Sequence, residues 1–152
     1  MLHNDVLKSM RHLLKANNAK LVEVCELAGI IVTEEEIFDY LRGEEDPKRA
    51  PVSEEVMAGF LDGLIYLKRG KDPARPMPPL ELPVTNNLVM KKLRVAFELR
   101  EEDMLAVLGQ AGFPFGKAQL SALLRKQGHP NYRECGDQVL RNFLKGLSLS
   151  PR

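Results

Sequence analysis

FLDGL at residues 60–64 and FLKGL at residues 143–147 are nearly the same five letters, 83 positions apart in a chain of 152. Laying residues 4–66 on residues 87–149 at that constant offset gives 15 identities in 63 positions without a gap. Ordinary residue frequencies give about four by chance. The identical pairs include Val6/Val89, Lys8/Lys91, Arg11/Arg94, Ala28/Ala111, Gly29/Gly112, Leu41/Leu124, Arg42/Arg125, Pro47/Pro130 and Phe60/Phe143. Other apolar positions mostly exchange for apolar residues, as in Leu14/Phe97, Cys25/Leu108 and Ile37/Leu120. The chain therefore reads as a duplicated unit whose last helix carries FLxGL.

Each unit reads as four helices. Val6, Met10, Leu13 and Leu14 stand at helical spacing and predict a first helix over about 4–16, with its copy at about 87–99. A second helix, about 19–28, ends at Gly29 and its copy at Gly112, because glycine after a periodic apolar run is a C-terminal signal. Thr33 and Glu36 have capping-box spacing and open a third helix to about 43, and Gly116 and Gln119 form a weaker version. The fourth begins near Ser53 or Asp137 and places Phe60, Leu64, Phe143 and Leu147 in the core. No stretch alternates with period two. The expectation is an all-α fold of two tandem four-helix units, 1–67 and 86–152, packed pseudo-symmetrically across a proline-rich linker at 68–85. Five prolines in residues 73–83 rule out a ninth helix there, since proline lacks a backbone donor and restricts its predecessor.

A hydrophobic fraction of 44% with 28% charged residues is that of an ordinary globular chain. No apolar run is long enough for a membrane span, and the start MLHND has no basic region leading an apolar one, so a cytoplasmic protein is expected. Cys25 and Cys135 form no disulfide framework and are expected to stay reduced. The net charge of +1 conceals −6 over residues 1–67, +2 over 68–85 and +5 over 86–152. Such halves attract each other, within or between molecules, or the basic half faces a polyanion.

FLDGLIYLKRGKD, NNLVMKKLRVAFELREEDML and NYRECGDQVLRNFLKGL, with the opening NDVLKSMRHLLKANN, make the whole chain resemble the bacterial YehS-like family, domain of unknown function 1456. The resemblance implies a small duplicated bacterial protein without an assigned activity, and it supplies no catalytic residues.

Asn4, Lys8 and Arg11 lie on one helical face, and Asn87, Lys91 and Arg94 repeat it. Either these are equivalent basic stripes for an acidic partner, protein or nucleic acid, or the asparagines cap helices while Lys and Arg form salt bridges. Lys68, Arg69 and Lys71 at the start of the linker are further binding candidates. In HPNYRECGD, residues 129–137, Cys135 near a helix N-terminus with Arg133 and Asp137 nearby is a candidate reactive thiol or redox sensor, though it aligns with Val52 and a buried role competes. The segments VEVCELAGIIVTEEEIFDYLR and LAVLGQAGFPFGKAQLSALLR have a helix-turn-helix outline. The first opens its third helix with TEEE, whose carboxylates repel phosphate, whereas the second offers Lys117, Gln119, Ser121, Arg125 and Lys126. His3, His12 and His129 have no metal-ligand spacing, and there is no phosphate loop or nucleophile elbow. No cofactor or catalytic set is nominated. A non-enzymatic binding or regulatory module is the leading expectation, with nucleic-acid binding through the second unit and an enzyme or redox sensor built on Cys135 as the alternatives, and a homo-oligomer stays open.

Overall fold

The computed structural model describes residues 1–150, and among these there are eight helices and no strand. The chain divides into a first unit, Met1–Val84, and a second that begins at Thr85. The first holds α1 (His3–Leu14), α2 (Asn18–Leu27), α3 (Glu34–Tyr40) and α4 (Glu54–Arg69), and the second holds α5 (Asn86–Ala96), α6 (Glu101–Gln110), α7 (Lys117–Leu124) and α8 (Asp137–Leu149). The expected all-α fold of two four-helix repeats is present.

Side chains fix the helix starts. The Lys20 amide donates to Asn17 Oδ1 at 2.9 Å, the Val56 amide to Ser53 Oγ at 3.1 Å and the Leu88 amide to Thr85 Oγ1 at 3.1 Å. Thr33 and Glu36 form the full reciprocal box, each backbone amide donating 3.0 Å to the other's side chain. Gly116 keeps half of it, its amide donating to Gln119 Oε1 at 2.8 Å. Each bond satisfies an amide that a helix leaves unpaired at its start.

Two helices end earlier than their apolar spacing suggests. Lys15 has φ 53° and Glu98 φ 54°, a left-handed turn at equivalent places. In each unit two reverse-turn bonds close the end: Ala16 to Arg11 and Lys15 to His12 in the first, Leu99 to Arg94 and Glu98 to Val95 in the second. This is the usual glycine-terminated closure made with other residues, so α1 and α5 stop at Leu14 and Ala96.

Phe60, Leu64, Phe143 and Leu147 are at most 1% exposed, as expected of core residues. The repeated glycine between them sets how close the helices come. A Cβ on Gly63 would fall inside the carbonyl oxygen of Val24 on α2, and a Cβ on Gly146 would fall inside that of Val107 on α6. Val24 and Val107 are themselves identical across the repeat, so both partners of this backbone approach recur. The pentapeptide thus returns because one helix contact is built twice.

Residues 70–84 contain no helix, as the prolines dictate, but they are tied to the first unit. Lys71 Nζ donates to the Leu27 carbonyl at 3.0 Å, and the Val84 amide donates to Glu54 Oε2 at 2.6 Å.

Candidate binding face

The repeated polar residues separate into two groups. Asn4 and Asn87 are each 5% exposed, and neither caps a helix. Asn4 Nδ2 donates to the carbonyls of Tyr40 at 2.9 Å and Ala50 at 2.8 Å, while its Oδ1 accepts from the Val52 amide at 3.1 Å. Asn87 repeats all three bonds, to Leu123 at 3.1 Å, to Arg133 at 2.8 Å and from Cys135 at 2.9 Å. Each amide side chain thereby staples the first helix of its unit to the end of the third helix and to the loop before the fourth. The expectation of an outward or capping asparagine is corrected: a buried amide must be satisfied, and here each side chain meets one carbonyl at the end of the third helix and two backbone groups of the loop after it.

A second tie joins the same elements. In the first unit His3 Nε2 lies 2.9 Å from Glu54 Oε1. At the equivalent places Asn86 Nδ2 donates to Asp137 Oδ1 at 2.8 Å and to the Cys135 carbonyl at 3.0 Å. Asp137 thus accepts a hydrogen bond from the first helix of its own unit.

The basic stripes differ between the units. Lys8 and Arg11 are exposed, with His12 and Lys15 exposed beside them at helical spacing. Lys91 and Arg94 are half-buried and engaged: Lys91 Nζ donates to the Arg125 carbonyl at 2.9 Å, and Arg94 Nε to the Leu99 carbonyl at 3.2 Å. The second stripe thus serves helix ends of its own unit. Lys68 and Arg69 are exposed on the last turn of α4, where cations complement the carbonyl end of a helix. Lys71 is held by the Leu27 carbonyl and sits 5.4 Å from the Tyr66 ring centre.

Cys135 is 6% exposed, and its Sγ points to the Gly136 carbonyl at 3.6 Å. Burial pushes its thiol up to about 11, and the Asp137 charge adds to the rise. Desolvation is the largest cause of this rise, which favours the buried role that the alignment with Val52 offered over a reactive thiolate. Arg133 is exposed and bonds the Tyr132 carbonyl at 3.1 Å. Cys25 is fully buried, and burial pushes it up to about 12. Both thiols are expected to resist iodoacetamide at neutral pH and to react rapidly only in denaturant. Native Cys135 alkylating as fast as a free thiol would contradict this placement.

In the helix-turn-helix outline, α3 has only seven residues, and its exposed first turn is Glu34, Glu35 and Glu36. In the second unit Lys117, Arg125 and Lys126 are exposed, but Gln119 is taken by the Gly116 amide and Ser121 Oγ donates to Glu101 at 3.4 Å. Among the described residues no group of His, Cys, Asp and Glu could hold a metal ion, and no helix is long and apolar enough to cross a membrane.

The family model described as Protein of unknown function (DUF1456) matches residues 3–70 and 86–152. "Uncharacterized protein YehS" of Escherichia coli (strain K12) is 45% identical over 148 residues, covering 97% of this chain and 95% of that protein. No solved structure matches. The two matched segments coincide with the two helical repeats, and the chain belongs to this family of unknown function.

Proposed function

We propose that this protein is a binding or regulatory module that presents α1 of its first unit to an acidic partner. The observation that carries the reading is the contrast between the stripes. Lys8 and Arg11 are exposed, while their sequence equivalents Lys91 and Arg94 are drawn onto backbone carbonyls. An exposed cation reaches an anion by exchanging water, whereas an engaged one first loses its internal bond. His12 on the same helix and Lys15 in the turn that ends it extend the exposed edge, although the first 67 residues carry −6 overall. A basic edge on an acidic unit confines the contact with an anionic partner to this one face.

Heparin serves as the test anion. Lys8→Glu with Arg11→Glu is expected to lower the salt needed for elution and to leave the melting temperature within about 2 °C, since exposed pairs contribute only about 0–1 kcal/mol. Elution at unchanged salt overturns the reading.

The nucleic-acid alternative draws on the second unit. Arg141 and Lys145 are exposed on α8 where α4 has buried Ala58 and Asp62, and Arg125, Lys126 and Arg133 are exposed as well. Retardation of mixed DNA and RNA that weakens steeply with salt would favour it.

A further inference from the structure

The corner where α1 turns into α2 occurs in both units with the same backbone, since Lys15 and Glu98 adopt the same left-handed turn at φ 53° and 54°. Its chemistry is reversed between them. Lys15 and Lys20 in the first unit stand where the second has Glu98 and Asp103. The fold accepts either charge at these places, so packing does not require the lysines.

In the first unit this corner borders a cleft of about 580 Å³, lined by Leu14, Lys15, Asn17, Lys20, Leu67 and Lys68 among others. That volume falls in the range of about 300–1,000 Å³ typical of small-molecule sites. Three ammonium groups line it, and Glu23 is the one carboxylate. Glu23 lies 3.3 Å from Lys20 in a pair whose side chains are 45% and 66% exposed, so water screens it and an anion with more charge can displace it. Asn17 already occupies the Lys20 amide at 2.9 Å, so the recognition falls to the lysine side chains rather than to the helix end. Leu14 and Leu67 give the cleft an apolar side.

We propose that this cleft binds a small molecule carrying a diphosphate group, with Lys15, Lys20 and Lys68 as its cationic contacts. Lysines act as point charges that follow phosphate oxygens, and two adjoining phosphates supply enough acceptors for three ammonium groups. The proposal rests on the reading of α1 as an anion-facing helix and gives that surface a small-molecule seat.

The test is calorimetric titration of the whole chain with inorganic pyrophosphate at low ionic strength. Saturable binding is expected, weakened at least tenfold by Lys15→Glu with Lys20→Asp, the residues that the second unit itself carries on the same backbone. Lys20→Gln alone, which leaves the left-handed turn intact, should weaken binding measurably and carries the test if the double variant melts early. Absence of saturable binding to the native chain, or equal affinity in folded variants, overturns the proposal. The Lys8→Glu, Arg11→Glu chain is expected to keep pyrophosphate binding. Loss of the heparin effect alone would therefore sink the α1 surface, and loss of the pyrophosphate effect alone would sink the cleft.

Discussion

Gly63→Ala is expected to destabilise the first unit by about 4 kcal/mol, and Gly146→Ala the second by a similar amount, each lowering the melting temperature by roughly 10 °C. The added methyl on α4 would occupy the position of the Val24 carbonyl oxygen, and the one on α8 that of Val107. Backbone cannot rotate away as a side chain does, so the helices must part. Parting loosens Leu21, Val24 and Cys25 from Phe60, Leu61 and Leu64 in the first unit, all at most 1% exposed. Alanine normally favours a helix over glycine by about 1 kcal/mol, so a gain in stability would show that the close approach is absent. Gly109→Ala on α6, where a Cβ meets nothing within 4 Å, is the matching control and should be neutral or mildly stabilising.

Asn4→Ala is expected to cost about 3 kcal/mol, and Asn87→Ala the same. In the first unit the change strands the Val52 amide and removes a donor from the Tyr40 and Ala50 carbonyls, with the asparagine site 5% exposed. Buried groups left without partners carry their full desolvation cost, so the loss exceeds that of a solvent-facing hydrogen bond. Asn4→Asp separates the roles. It retains the acceptor for Val52 but loses the two donations and buries a charge, so it should destabilise at neutral pH and recover part of the loss in acid, where the carboxyl is neutral. Thermal melting across pH measures this, and an alanine variant as stable as the native chain would refute the staple.

The duplication made the fold legible. Each helix is written twice, and substitutions such as Cys25/Leu108 and Ile37/Leu120 retain apolar character at the same spacing, which marks one buried face in each copy. The bonds of Asn4 were not legible. Spacing assigns Asn4, Lys8 and Arg11 to one helical face, but the partners of Asn4 lie 36 to 48 residues away, on the end of α3 and the loop that follows it. Polar identity therefore looked like surface when part of it was interior. The divergence of the stripes had the same origin, because the carbonyls that hold Lys91 and Arg94 belong to helix ends that only the folded unit brings near. For Cys135 the alignment with Val52, which is 6% exposed, was a better guide than its proximity to a helix start. Gly63 carried a readable signal, since a glycine kept in mid-helix twice, against its propensity cost, marks a close contact.

The proposed separation of a shared frame from a binding edge confined to the first unit is tested most directly by heparin elution and melting of two charge reversals side by side. Lys8→Glu with Arg11→Glu should elute at lower salt and melt as the native chain does. Lys91→Glu with Arg94→Glu should melt earlier, because both cations hold backbone carbonyls, while its elution shifts less than that of the first pair. Equal elution shifts in the two variants without loss of stability in either would contradict the account.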